Sequence, residues 1–280
     1  MTKLFLVIVI VLTHSFGAQA QKKSSKYLPG QYKKHHRPIM AKLGTGQFHS
    51  AITELKSFLK KAPHDEETLY CMALAYSGSG DGAEALNYAK RAISEGLPIE
   101  RFIAGPRSLN RELLGTDEFL KIMQSSSPRL VHGPMIGDLT SDSVKIWLRA
   151  SEESEIKVVI EGVTAERAKA SAKNDYTVTI EIKGLDPDTF YHYQIFQDEH
   201  AIDLGIEPGF RTQKRGGGET IKIIFGGGSG FTPKYERVWE TIKSHKPDAL
   251  LLLGDNVYID RPEIREVGQY CYFRRQSRPE

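Results

Sequence analysis

The sequence predicts a multidomain chain in which an α-helical repeat precedes a β-sandwich, which in turn precedes the start of a parallel α/β domain. Three changes of hydrophobic pattern support this order. A helical period covers residues 37–124, alternating apolar and polar residues cover 129–213, and two continuous apolar runs lie within 220–280. A period of 3.6 is typical of amphipathic helices and a period of two of half-buried strands, while continuous runs are typical of parallel strands covered on both faces.

Composition and charge exclude some classes of function. The chain has 280 residues, 26% of them charged, and a net charge of +3. That charge is too small and too dispersed to indicate nucleic-acid binding, and no motif for it is present. The two cysteines, Cys71 and Cys271, fall in different predicted domains, so the chain is not a disulfide scaffold.

The first twenty residues have the features of a secretory signal peptide. Lys3 gives a positive start, Leu4 to Leu12 form an apolar core, and Ala18-Gln19-Ala20 is a small-x-small cleavage site. We expect Sec-type export to the periplasm or the exterior, cleavage after Ala20 and no transmembrane segment in the mature chain. An uncleaved N-terminal anchor is the alternative. The basic, polar stretch 21–36 predicts a linker.

An internal repeat organises the helical part. Gly46 and Gly80 begin equivalent units 34 residues apart, and Ala51 matches Ala85 at the same offset. A helix-turn-helix period of 34 residues is the tetratricopeptide signature, so we expect tetratricopeptide-like repeats over 37–124. Such repeats offer a groove for a protein partner. Because only two units are clear, a structural cap on the rest of the protein is an equal interpretation.

Short alternating strands follow the repeats. Val144, Ile146 and Leu148 alternate with polar residues, and turn residues separate this run from later ones. The stretch from Gly184 to Tyr193 resembles the corner of a fibronectin type III sandwich, in which a tyrosine bonds back to the upstream backbone. We therefore expect a fibronectin III-like sandwich over 129–213, with Tyr191 as the corner residue.

Two apolar runs near the C-terminus each end in glycine. The first is followed by Gly226 to Gly228, and the second, Ala249 to Leu253, by Gly254. Ligands of open α/β sheets collect beyond the carboxyl ends of the strands. Asp255 lies at such an end and Tyr258 three residues later, so a carboxylate and a phenol can begin a metal site there. Alternatively, Asp255 caps backbone N–H groups and Tyr258 is a core aromatic residue.

The Gly254-Asp255-x-x-Tyr258 motif resembles the calcineurin-like metallophosphoesterases. With the Tyr/Arg-rich segment from Tyr270 to Gln276, it is similar to their alkaline phosphatase D (PhoD-like) branch. This resemblance implies a metal-dependent phosphoric ester hydrolase with Asp255 and Tyr258 as metal ligands and calcium and iron as the metals. It also implies a catalytic arginine that orients the substrate phosphate. Arg274 is the candidate, with Arg275 as the alternative.

Two departures from that family matter. Where its first strand usually ends in Ser-Cys, this chain has Gly227 and Gly228, which speaks against a cysteine-bound ferric iron. A two-metal centre also takes roughly six to eight ligands, and 220–280 supplies few. We therefore expect the N-terminal part of a longer enzyme, inactive as this chain. The alternative function is a non-catalytic secreted binding protein that uses the helical repeats and the sandwich.

Overall fold

A computed structural model describes residues 32–124, 130–216, 220–228 and 238–277. The expected signal peptide, 1–20, and most of the expected linker lie outside these ranges. The linker ends earlier than position 36, because Tyr32–His36 form a π-helical turn that continues into the first α-helix. His36 is buried, and its Nε2 lies 2.9 Å from Oγ1 of Thr68. None of the helices in the described ranges has the length and the hydrophobicity that a membrane span requires.

Residues 32–124 form a helical unit. After the π-helical turn come α1 (Arg37–Gly44), α2 (Phe48–Lys61), α3 (Glu66–Gly78), α4 (Gly82–Ser94), α5 (Glu100–Ala104), α6 (Arg107–Leu114) and α7 (Asp117–Gln124). Two of these helices begin at an aspartate whose carboxylate accepts a hydrogen bond from the first turn. Asp65 accepts from the N–H of Thr68 at 2.7 Å, and Asp81 accepts from that of Glu84 at 3.0 Å.

The central element of the helical unit is α3, which is buried on nearly all sides and packs against α2, α4 and α6. Small residues allow the close approach of its neighbours, since Ala51 of α2 and Ala85, Ala89 and Ala92 of α4 have no exposed surface. Ala51 and Ala85 are the positions that the 34-residue repeat pairs. The repeat in the sequence therefore marks positions with the same packing role.

Antiparallel strands follow the helices, in the predicted order. They are β1 (His132–Gly137), β2 (Ser143–Arg149), β3 (Ser154–Ile160), β4 (Thr164–Ala170), β5 (Thr177–Lys183), β6 (Phe190–His192), β7 (Gln194–Gln197), β8 (His200–Ala201) and β9 (Gly209–Arg211). They pair as β1-β2-β5, β4-β3-β7-β8 and β6-β9. Val144 pairs with Ile182 and Ile146 with Ile180. These side chains share one apolar core with residues of β3 and β7, as the alternating pattern predicts.

A parallel pair of strands comes next. The strands β10 (Ile223–Gly226) and β11 (Ala249–Leu252) pair in parallel, and α8 (Val238–Ser244) lies between them in the chain. Continuous apolar strands predict cover on both faces, but the described residues do not provide it. Phe225 is 58% exposed and Leu251 48% exposed, and α8 buries none of its residues. One short helix is too little to cover two faces of a sheet.

The last helix, α9 (Arg265–Gln276), does not join the parallel pair. It packs on α1 and α5 of the helical unit, and Val267, Tyr270 and Cys271 belong to that unit's core. The C-terminal end of the domain expected over 220–280 therefore packs with the helical unit rather than with β10 and β11. The apolar face of α9 is buried against the helical unit, which offers more apolar surface than the small sheet.

The sandwich also contacts α9. His132 of β1 lies with its ring 5.4 Å from that of Phe273, and its Nε2 is 3.2 Å from Oγ of Ser277. Arg149 of β2 places its guanidinium 4.6 Å from the centre of the Phe273 ring and donates to the carbonyl of Ala104 at 3.2 Å. Thus α9 lies at the junction of the helical unit and the sandwich.

The expected corner bond is present in the sandwich. The N–H of Asp186 donates to the hydroxyl of Tyr191 at 2.9 Å. We predict that Tyr191→Phe lowers the free energy of unfolding by about 1 kcal/mol, the usual size of one hydrogen bond. Urea unfolding followed by Trp147 fluorescence, in a Trp239→Phe background, measures this. Tyr193→Phe is the control, since its hydroxyl has no hydrogen-bond partner among the described residues. Equal losses in both variants would contradict the prediction.

The junction should depend on pH through His132. Burial first, and then the charges of Arg149 and Arg101, lower the pKa of His132 from 6.5 to about 3. Between these values the unfolded chain binds a proton that the folded chain does not, so stability decreases as the pH falls below 6.5. We predict that His132→Phe, which keeps an aromatic ring, flattens the dependence of Tm on pH between 6.5 and about 5. His200→Phe, at an exposed position of β8, should show the same slope of Tm against pH as the wild type. Equal slopes in the wild type and both variants would refute the role of His132.

Candidate functional site

The carboxyl ends of β10 and β11 form two adjacent glycine turns. The N–H of Leu253 donates to the carbonyl of Gly226 at 2.8 Å, and the N–H of Gly228 donates to that of Gly254 at 3.2 Å. Gly228 has φ +73° and Gly254 has φ +124°, a region that favours glycine. Since the amide of Gly228 already donates to the carbonyl of Gly254 in the neighbouring turn, it is not available for a phosphate oxygen.

A close approach explains the glycine at position 227. A Cβ at position 227 would lie 3.0 Å from the carbonyl oxygen of Gly254, closer than ordinary van der Waals contact. A Cβ at position 228 would lie 3.7 Å from the hydroxyl of Tyr258. Any side chain at 228 would therefore project towards Tyr258, so this turn forms one wall of the candidate site.

The structure brings both predicted metal ligands together. The hydroxyl of Tyr258 donates to Oδ2 of Asp255 at 3.3 Å. Asp255 follows directly after the Gly254 turn and itself has φ +51°, a conformation that aspartate tolerates better than most residues. The result is a carboxylate and a phenol oxygen side by side, beyond the carboxyl ends of two parallel strands.

The electrostatics of this pair oppose ionisation of the phenol. Partial desolvation, then the negative charge of Asp255 and the hydrogen bond to it, raise the pKa of Tyr258 above its ordinary value. A phenolate at 258 would repel the neighbouring carboxylate. A cation between the two oxygens would reverse this effect, because it stabilises both negative groups.

The donor set only partly fits a metal centre. Carboxylate and phenol oxygens suit hard cations such as calcium, which takes six to eight oxygen ligands. Among the described residues, no group of three or more histidine, cysteine, aspartate or glutamate side chains could hold a metal. Asp255 and Tyr258 thus supply two oxygens, fewer than a complete calcium or iron centre requires.

Arg37 holds the segment that carries Tyr258. Its Nη1 donates to the carbonyl oxygen of Tyr258 at 2.7 Å, and its Nη2 lies 2.6 Å from Oδ2 of Asp260. The guanidinium is buried, whereas Asp260 is exposed. Sequence reasoning missed this contact, since an arginine at the start of α1 gives no signal for a partner 221 residues away.

Arg274 lies elsewhere than its predicted role requires. Its side chain is buried, and its Nε lies 3.1 Å from Oε2 of Glu67 in α3. The alternative, Arg275, places its guanidinium 5.2 Å from the ring of Trp239. The structure therefore unites Asp255 with Tyr258 but pairs the predicted phosphate-orienting arginine with a carboxylate of the helical unit. An arginine buried in an ion pair is not open to a substrate phosphate.

A family model described as a domain of unknown function (DUF7800) matches residues 127–213. These residues contain β1 to β9. No sequence among the curated proteins matches the chain.

Solved structures similar to parts of the chain include the following three. A structure of PhoD has 18% identity and a TM-score of 0.43, over 54% of this chain and 36% of its own. The sensor domain of the anti-sigma factor RsgI4 from Pseudobacteroides cellulosolvens has 15% identity and a TM-score of 0.25, over 32% of this chain and 97% of its own. The fn3 domain of human contactin 1 has 18% identity and a TM-score of 0.22, over 31% and 78%. The chain thus spans about a third of the length of the PhoD chain.

The contact between Asp255 and Tyr258 has a measurable consequence. We predict that Asp255→Asn lowers the pKa of Tyr258 towards its ordinary value of 10.0, because the variant removes the neighbouring negative charge. NMR titration of the tyrosine ring carbons measures this pKa directly. Glu263→Gln is the matched control, a nearby exposed carboxylate paired with Arg261. An unchanged Tyr258 titration in Asp255→Asn would show that the two groups are not in contact.

Proposed function

We propose that this chain is the N-terminal part of an exported, PhoD-like metal-dependent phosphoesterase. The observation that carries the proposal is the contact between Asp255 and Tyr258 beyond the carboxyl ends of β10 and β11. In this proposal 37–124 are tetratricopeptide-like repeats, 129–213 a fibronectin III-like sandwich and 220–280 the first part of a metallophosphoesterase domain. The substrate is a phosphoester.

The proposed role of this chain within the metal centre is limited. Asp255 and Tyr258 provide the first oxygen ligands for a hard cation, with calcium and iron as the metals that the resemblance implies. Further ligands would come from residues outside the described ranges. The short turn at Gly228 leaves room beside Tyr258, and Arg37 fixes the backbone of the ligand-bearing segment. The compartment follows from residues 1–20, which we propose to be a Sec-type signal cleaved after Ala20.

The buried state of Arg274 changes one part of the proposal. Phosphate orientation by Arg274 would require its release from Glu67, so another cationic group is the better candidate for that task. Arg275 is the nearer alternative in sequence, and it is only half-buried against Trp239. A non-catalytic binding protein remains the second candidate function. Its partner would have to use a face of the helical unit that α9 leaves open.

Cation binding by the purified chain tests the proposal. Terbium, a hard trivalent ion that substitutes for calcium, luminesces when a tyrosine close to it is excited. We predict luminescence that calcium competes away and that Asp255→Asn weakens about tenfold or more, since one charged ligand is lost. Glu263→Gln should bind like the wild type. Equal terbium affinity in all three proteins would refute the metal-binding role of Asp255.

Turnover tests how much of the centre this chain holds. We expect no hydrolysis of an aryl phosphate or an aryl phosphodiester by the purified 280-residue chain with calcium and iron, because two ligands cannot hold a two-metal centre. Metal-dependent turnover that disappears in Asp255→Ala would contradict this expectation. It would show instead that these residues suffice for catalysis.

A further inference from the structure

The helix α9 binds the helical unit with one continuous face. Ile264, Val267, Tyr270, Cys271 and Arg274 are all buried, and their spacings of three, three, one and three place them on a single side of a helix. The opposite side is exposed at Tyr272. This arrangement is that of an amphipathic helix bound to a receptor surface, although the helix and the receptor belong to the same chain.

A buried cluster of charges lies at the centre of this contact. We call it the Glu67 cluster; it contains Glu67, Tyr70, Arg101, Tyr270 and Arg274. Glu67 receives two hydrogen bonds from Arg101, to Oε1 at 2.7 Å and to Oε2 at 3.2 Å. Arg274 approaches the same carboxylate from α9 at 3.1 Å. One carboxylate therefore serves an arginine of its own unit and an arginine of the incoming helix.

Aromatic rings enclose the cluster. The rings of Tyr70 and Tyr270 stack with their centres 6.2 Å apart, one from α3 and the other from α9. The guanidinium of Arg101 lies 4.5 Å from the Tyr70 ring and 5.6 Å from the Tyr270 ring. Cations over aromatic faces are stabilised by the ring quadrupole, more so away from water. The incoming helix thus contributes a tyrosine and an arginine one turn apart.

The buried ion pairs of this contact add little net binding free energy, but they strongly disfavour a helix that lacks the arginine. Bringing charges out of water costs several kcal/mol per ion, which their attraction roughly offsets. Removing one partner leaves a buried charge without compensation, and that loss is large. Burial alone would raise the pKa of Glu67, but Arg101 and then Arg274 lower it well below its ordinary range. The carboxylate is therefore charged, and a neutral side chain at position 274 would remove part of its compensation.

We propose that the helical unit is a built-in receptor for a helix that carries tyrosine and arginine one turn apart, and that α9 is its ligand, selected by the carboxylate of Glu67. The receptor is specific for charge as well as for apolar area. Its function is to hold the segment after β11 against the rest of the protein. Arg37 of α1, on which α9 packs, also binds Tyr258 and Asp260. Docking of α9 therefore also holds the loop of the candidate site against α1. The proposal does not rest on the proposed enzymatic function.

Cutting the chain between the sandwich and β10 tests whether the helical unit and α9 stay bound without a covalent link. A site for a specific protease, inserted after the exposed Arg215, allows the full-length folded chain to be cut between the sandwich and β10. We expect both pieces to elute together from a size-exclusion column, because α9 stays bound. Separation of the wild-type pieces at micromolar concentration would overturn the proposal.

Matched variants on α9 test the role of charge. We expect Arg274→Met to weaken the association of the pieces about 30-fold or more, the usual effect of truncating one partner of a buried charge pair. Arg275→Met changes the neighbouring arginine, which contacts Trp239 and not Glu67, and should weaken it less than about threefold. Equal effects of the two variants would show that apolar burial alone holds α9, and they would overturn the proposed selection by Glu67.

Competition by a peptide excludes misfolding of the variants as the cause of weaker association. A synthetic peptide of residues 261–277 should displace the labelled C-terminal piece from cut wild-type protein. The same peptide with Arg274→Met should need a concentration about 30-fold higher to release the same amount. The receptor is unchanged in this comparison, so a folding defect cannot produce the difference. Equal potency of the two peptides would overturn the proposal.

Discussion

The arrangement of the domains depends on one buried carboxylate. Glu67 lies near the first turn of α3, the helix at the centre of the helical unit, and it binds arginines from α5 and α9. Since α9 also contacts His132 and Arg149 of the sandwich, three separate stretches of chain meet at this helix. If the carboxylate were absent, the two guanidinium groups would repel each other in a medium that screens charge poorly.

The site at the end of β11 depends on the same junction. The loop from Tyr258 to Asp260 lies a short distance before α9 in the chain. Arg37 binds this loop from the first turn of α1. By contrast, the parallel pair itself has little support, since its apolar residues are exposed on both faces. Tyr258 is therefore held from the helical side, by a contact of Arg37 that lies outside the strands.

Much of the fold could be predicted because its causes are local. Periodicity located the helices and the strands, and glycine after apolar runs located the turns beside Asp255 and Tyr258. The position of α9 could not be predicted, since the carboxylate that pairs with its Arg274 lies about two hundred residues earlier in the sequence. Resemblance placed Arg274 at a phosphate, whereas the structure pairs it with Glu67. Nothing near Glu67 in the sequence indicates a partner about two hundred residues later, and only the fold brings such residues together.

The long separation of α9 from its receptor constrains the order of folding. The helical unit precedes α9 in the chain, and N-terminal domains generally fold first. The Glu67 and Arg101 pair must then form while the position of α9 is still empty, with water in its place. The apolar surface of α1 and α5 that α9 covers would stay exposed until α9 docks. Transiently exposed apolar surface makes a partly folded chain prone to aggregation, so the docking of α9 ends the period in which the helical unit is exposed to this risk.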